Sequence, residues 1–225
     1  MKRSVKNTLY TGMLLLALFA VWTVAVMTVD VQVAGETGKS IGFATVNLRF
    51  HQLTGVHMAI YTVTDWLGLV PVFICLLFAL LGLYQLIRRK SLTKVDADLL
   101  FLGIYYVLVI LAYLVFEMYP INYRPIFIDG RLEASYPSST TLLVLSVMPT
   151  LVFQVQRRTQ NRCMQRAVHI LSALFSLATV IGRLISGVHW LTDIIGSVLL
   201  SGGLFLIYTA SVPLSSGNKS QQEVS

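Results

Sequence analysis

The sequence predicts an all-α integral membrane protein, a bundle of six transmembrane helices with both termini on the cytoplasmic side. Three observations carry that expectation. The 225 residues are 56% hydrophobic and only 12% charged, where a soluble domain carries about 25% charged residues. The apolar residues gather into six runs, most of them close to the roughly 20 residues that a helix needs to cross a bilayer. The lysines and arginines collect in alternate connections, which fixes an orientation.

Taken in order, Lys2, Arg3 and Lys6 precede a first apolar run over 9–29. A basic start before an apolar segment also begins a signal peptide. This run has no small-x-small cleavage site at its end and is read as a retained helix. Residues 30–65 form the longest polar stretch. Its GETGKS, from Gly35 to Ser40, has two residues where a phosphate-binding loop needs four before Gly-Lys, and no strand is expected ahead of it. Residues 44–60 are weakly amphipathic, which fits an interfacial helix lying over one end of the bundle. His51 and His57 there are six apart, a poor spacing for sharing a metal on one helix face.

A second span is expected over 66–87 with Pro71 near one end, and a third over 99–116. A Tyr- and Pro-rich connection over 117–139 leads to a fourth, 140–155, containing Pro149. The fifth covers 167–185. The sixth covers 194–212, where Gly202-Gly203 allows close packing. Residues 1–212 thus make one membrane domain, and 213–225 a polar tail. Cys75 falls mid-span and Cys163 in a basic loop, so the two thiols are expected to stay unpaired.

With the N-terminus inside, the inner segments hold Lys2, Arg3, Lys6, Arg88, Arg89, Lys90, Lys94, Arg157, Arg158, Arg162, Arg166 and Lys219. Only Lys39, Arg49, Arg124, Arg131 and Arg183 fall outside. The net charge of +7 is therefore a signature of topology and does not point to nucleic acid. The segments around 117–139 and 183–193 converge at the outer end, facing out of the cell membrane.

Those two segments carry the candidate chemistry. Arg183, His189 and Asp193 stand between long apolar runs, and ionisable groups at such depth default to function. His189 and Asp193 are four apart, so on a helix they share one face. A carboxylate can then hold the proton of one imidazole nitrogen and leave the other free as nucleophile or base. Arg183 and Arg124 supply guanidinium forks suited to phosphate oxygens. Pro137-Ser138-Ser139-Thr140 opens the fourth helix, and a helix N-terminus is an anion site. Each feature alone is compatible with a capped helix or a locked helix pair, but together they point to phosphate.

The residues resemble the type-2 phosphatidic acid phosphatase superfamily, which includes lipid phosphate phosphatases and vanadium haloperoxidases. That family carries, in order, Lys-x6-Arg-Pro, Pro-Ser-Gly-His and Ser-Arg-x5-His-x3-Asp. This chain has Glu117-x6-Arg124-Pro125, Pro137-Ser138-Ser139-Thr140 and Gly182-Arg183-x5-His189-x3-Asp193. The resemblance implies that His189 is the phosphate-attacking nucleophile and that Asp193 orients it. It implies phosphate binding by Arg124, Arg183, Ser138 and Ser139. No metal or other cofactor is implied, and the partner is a phosphorylated lipid in the membrane.

Three motif positions depart: Glu117 stands for Lys, Thr140 for the His that protonates the leaving oxygen, and Gly182 for Ser. Three explanations follow. The substrate has a leaving group that needs no acid, as in a lipid (polyprenyl) diphosphate. Or Glu117, raised by burial, is the proton donor. Or the chain has lost catalysis and only binds a phospholipid. The expectation is a membrane phosphohydrolase of the outer leaflet working through a phosphohistidine, with lipid phosphotransfer and lipid binding alone as the alternatives.

Overall fold

The computed structural model describes residues 3–34 and 36–216. Its elements are α1 (Arg3–Thr28), the strands β1 (Gln32–Ala34) and β2 (Lys39–Ile41), α2 (Ala44–Thr54), α3 (Met58–Leu67), α4 (Leu69–Arg89), a 3-10 turn at Leu92–Lys94, α5 (Ala97–Met118), α6 (Ser139–Arg158), α7 (Arg162–Ile185) and α8 (Leu191–Ser216). Among the described residues, six spans are long and apolar enough to cross a membrane, with α3 and α4 forming one of them. The expected six-helix bundle is the observed architecture.

The apolar runs locate the spans, and their ends shift where polar residues join the helices. The second span begins at Met58, eight residues before the expected 66, and is interrupted at Gly68, between α3 and α4. The expected amphipathic helix over 44–60 therefore ends at Thr54, where Gly55 takes a positive φ. The last helix begins at Leu191 and continues to Ser216, into what the sequence marks as tail; Lys219 and the rest of the tail lie outside the described residues. Within the GETGKS stretch, Lys39 and Ser40 belong to β2, which pairs antiparallel with β1 so that Val33 faces Ser40.

Central to the bundle is α8, which packs against α1, α5 and α6. A Cβ on Gly203 would stand 2.6 Å from Leu16 of α1 and 3.1 Å from the Gly12 carbonyl. Only hydrogen at that position lets the two backbones approach, the usual device where water does not drive helices together. Aromatic rings fill the site end of this core: Tyr136 stacks on Phe19 at 6.2 Å and meets Phe116 edge-on at 5.7 Å. At the opposite end the basic helix termini are paired. Asp98 lies 2.7 Å from Arg158 and Asp96 lies 2.8 Å from Arg89.

The hairpin and α2 fold over the start of α8. Asn47 donates to the Thr192 hydroxyl at 3.0 Å and its amide oxygen accepts from the Thr192 N–H at 3.3 Å. Trp190 is buried against Ala34, Ile41 and Ala44. This cover holds in place the loop that carries the candidate site.

Candidate active site

The loop between α7 and α8 positions His189. Ser186 closes α7, and its carbonyl accepts the His57 N–H at 2.9 Å. Gly187 turns the chain at φ +70°, and a Cβ there would fall 1.9 Å from the Gly55 carbonyl. Val188 is sealed against Ile126 and Ile128. The Trp190 indole donates to the Tyr123 carbonyl at 2.7 Å. Held from both sides, His189 is 3% exposed.

His189 therefore sits on a loop and not on a helix face, contrary to the expectation from its spacing. Asp193 occupies the first turn of α8, and its Oδ2 accepts the Trp190 N–H at 2.9 Å. That bond is one half of a capping box. The same oxygen lies 3.5 Å from Nδ1 of His189, while the Ser135 carbonyl lies closer, at 3.2 Å. Two acceptors on Nδ1 fix the proton there and leave Nε2 as the lone-pair nitrogen. Nε2 is buried and makes no hydrogen bond within the protein. Burial, reinforced by Arg124 and Arg183, holds the imidazole well below its usual range. The ring is thus neutral and nucleophilic near pH 7.

The two arginines come from distant segments and meet over one ring. Guanidinium carbons of Arg183 and Arg124 lie 4.8 and 5.5 Å from the centroid of Tyr61. Each is tethered by one carboxylate: Arg183 to Asp65 at 2.9 Å and Arg124 to Glu133 at 3.1 Å. Arg183 also donates to the Thr140 hydroxyl. Nη1 of Arg124, and Nε and Nη1 of Arg183, are buried with no hydrogen-bond partner in the protein. Buried guanidinium donors left unsatisfied are costly, and phosphate oxygens would satisfy them.

A polar cavity of about 190 Å³ collects His189, Arg124, Ser139 and Glu117. Ser139 opens α6, whose first amides have no intrahelical acceptor. Ser138 stands behind it, its hydroxyl donating to Thr141 at 3.1 Å and its N–H to the Asp193 carbonyl at 3.3 Å. Glu117 is exposed at the rim, so the burial invoked to make it a proton donor is absent. Sequence reasoning missed Asp65, Tyr61, Glu133 and Ser135. Asp65 alone left a signal, as a charge directly ahead of the apolar run over 66–87.

The sequence model of the PAP2 superfamily matches residues 105–216, which include all the motif residues named above. The chain belongs to the PAP2 superfamily. A search of curated proteins finds no match. Among solved structures, this PAP2 chain is similar to the crystal structure of a transmembrane PAP2-type phosphatidylglycerolphosphate phosphatase from Bacillus subtilis. The two share 18% identity and a TM-score of 0.62, over 92% of this chain and 97% of that one. At that identity the likeness is one of fold. Family and fold together support a multi-pass integral membrane protein of the lipid phosphatase type.

Proposed function

We propose that this PAP2 protein is a membrane phosphohydrolase that removes phosphate from a lipid phosphate, and preferentially from a lipid diphosphate such as a polyprenyl diphosphate, at the outer leaflet. The observation that carries the reading is the buried, unpartnered Nε2 of His189, which lines the same cavity as Arg124 while its Nδ1 is held by Ser135 and Asp193.

In the first step Nε2 attacks phosphorus. The N–P bond forms, the P–O bond to the lipid-bearing group breaks, and Arg124 and Arg183 balance the charge on the equatorial oxygens. Asp193 and the Ser135 carbonyl stabilise the Nδ1 proton as the ring gains positive character. In the second step water adds to phosphorus, the N–P bond breaks, and inorganic phosphate leaves. The preference for a diphosphate follows from Thr140, which cannot protonate a departing alkoxide. The topology argument puts both termini in the cytoplasm and the site outside.

The test is phosphate release from purified protein against a panel of lipid phosphates and diphosphates, with His189→Ala as control. Release that is lost in His189→Ala supports the reading. Release that survives the substitution, or lipid binding without turnover in the unmutated protein, overturns it.

A further inference from the structure

The second-motif histidine is missing, and the structure brings another ionisable group to its position. Arg183 Nη2 donates both to the Thr140 hydroxyl and to Oδ1 of Asp65, the latter at 2.9 Å. The carboxylate of α3 thus shares one guanidinium nitrogen with the residue that replaces the acid. Asp65 and Thr140 also line one groove of about 470 Å³ between α3–α4, α5 and α6. Asp65 is the one carboxylate among the residues lining that groove. The groove and the polar cavity holding His189 have Ser139 and Tyr113 in common as walls. The two spaces therefore adjoin across shared walls at the N-terminus of α6, where the phosphate is expected.

Phosphoryl transfer places the attacking and leaving oxygens or nitrogens roughly in line across phosphorus. With Nε2 of His189 on the side of the polar cavity, the departing group and the later incoming hydroxyl occupy the side of the groove. A second departure from the family pattern makes room for this arrangement. Gly182 stands where the third motif has Ser, and a Cβ there would lie 2.6 Å from the Thr64 methyl. Its absence lets α3 close on α7 and brings Asp65, the next residue, to Arg183. Gly68 does the same on the other side, with a virtual Cβ 3.3 Å from the Thr140 methyl.

We infer that Asp65 is a catalytic residue, the general base that activates the hydroxyl resolving the phosphohistidine. The inference rests on the phosphohistidine reading above. A water or alcohol in the groove attacks phosphorus and the new O–P bond forms. The P–Nε2 bond breaks with its electron pair returning to the imidazole, and the hydroxyl proton passes to Asp65 and on to solvent. The Asp65 side chain is 58% exposed and lines the groove. The first step needs no proton donor when the leaving group departs as a phosphate. The second step needs an acceptor, and an ionised carboxylate supplies one.

The experiment is rapid-mixing and acid-free quench of Asp65→Asn with a lipid diphosphate, following both the released lipid product and protein-bound phosphate. An amide oxygen still accepts from Arg183 but cannot take up the proton. The expected result is a stoichiometric burst of lipid product, accumulation of phosphohistidine, and steady-state turnover reduced by about 10²–10⁴-fold, the usual worth of a general base. Hydroxylamine, a nucleophile that needs little base assistance, should restore turnover. Asp65→Glu, which retains a carboxylate, should restore part of the turnover lost in Asp65→Asn and lower the accumulated phosphohistidine, which separates lost chemistry from lost folding. Turnover in Asp65→Asn like that of the unmutated protein overturns the inference. So does burst and turnover slowed together with no accumulation, which is the behaviour of a residue that only positions Arg183. If the unmutated protein forms no phosphohistidine, the underlying reading fails as well. If it forms one that does not accumulate in Asp65→Asn, the inference about Asp65 fails alone.

Discussion

Gly182 of α7 faces Thr64 of α3 so closely that a Cβ on the glycine would stand 2.6 Å from the threonine methyl. Thr64 and Gly182 are both buried, so neither helix can give way without disturbing the Arg183–Asp65 pair one residue away. Restoring the family's serine is therefore predicted to harm this chain. Gly182→Ser and Gly182→Ala should each cost about 1–3 kcal/mol, the range for overpacking a filled interior. Thermal unfolding in detergent measures that loss. Phosphatase activity should fall further than stability, because the displaced α3 carries Asp65 and Tyr61. A Gly182→Ser protein as stable and active as the original would show that the close approach is incidental.

Asp193 shares the His189 proton with the Ser135 carbonyl, which is the nearer acceptor at 3.2 Å against 3.5 Å. His189→Ala should abolish turnover. Asp193→Asn should reduce kcat, by up to the roughly 10⁴-fold seen when a triad carboxylate is neutralised, yet leave residual activity because the carbonyl still fixes the tautomer. Single-turnover kinetics distinguish the two. Equal loss in both variants would mean that Ser135 contributes nothing.

The pH dependence has a definite sign. Burial and the two arginines depress His189 in the folded protein, so the native state holds the neutral ring to more acid pH than a free imidazole, whose pKa is about 6.5. The acid limb of kcat/KM assigned to His189 should lie below that value. Its contribution to stability is fully present above the unfolded pKa and is lost as pH falls through the folded one. Arg124→Gln removes one depressing charge and should move the limb toward neutral while weakening substrate binding. A limb that stays in place in Arg124→Gln, measured by pH–rate profiles of both proteins, refutes the electrostatic account.

Periodicity and hydropathy made the six spans legible because a lipid-facing helix needs an apolar surface almost all round, and such runs announce themselves. The motif spacings made Arg124, Arg183, His189 and Asp193 legible for a different reason: the groups must converge, and between His169 and Lys219 the chain carries no other Lys, Arg, His, Asp or Glu. Spacing could not reveal that His189 lies on a loop, since an i, i+4 pair fits a helix and a capping turn equally well. It could not reveal Ser135 either, which acts through its carbonyl and so leaves no trace in side-chain identity. Asp65 was hidden by its place at the boundary between a polar stretch and an apolar run, where it passed for the end of a loop. The hairpin of β1 and β2 was missed because strands of three residues are too short to show alternation.

The orientation in the membrane is open to a labelling test. Arg131 is exposed beside the turn at Asp129–Gly130, at the site end, and Cys163 is exposed and free at the opposite end. In intact cells a membrane-impermeant maleimide should label Arg131→Cys but not the native Cys163. After permeabilisation both should react. The reverse pattern would move the site to the cytoplasm.

The last prediction joins Thr140 to the substrate. Breaking a phosphate monoester expels an alkoxide, which departs badly unless protonated. Breaking a diphosphate expels a phosphate monoester, whose second pKa is about 6 and which leaves as a stable anion near neutral pH. The Thr140 hydroxyl accepts from Arg183 and has no proton to give at the required acidity. The second reaction loses little by that exchange and the first loses most of what a general acid supplies, about 10²–10⁴-fold. The unmutated protein should accordingly show a higher kcat/KM for a lipid diphosphate than for the matching monophosphate. Thr140→His should raise monoester turnover while changing diphosphate turnover little. Were Glu117 the proton donor instead, monoesters would be good substrates and Glu117→Gln would remove that activity selectively; Glu117 is exposed at the cavity rim and lacks the burial invoked for that role. The deciding measurement is the ratio of the two specificity constants in the unmutated protein. A ratio near one, or one favouring the monoester, would falsify the leaving-group argument.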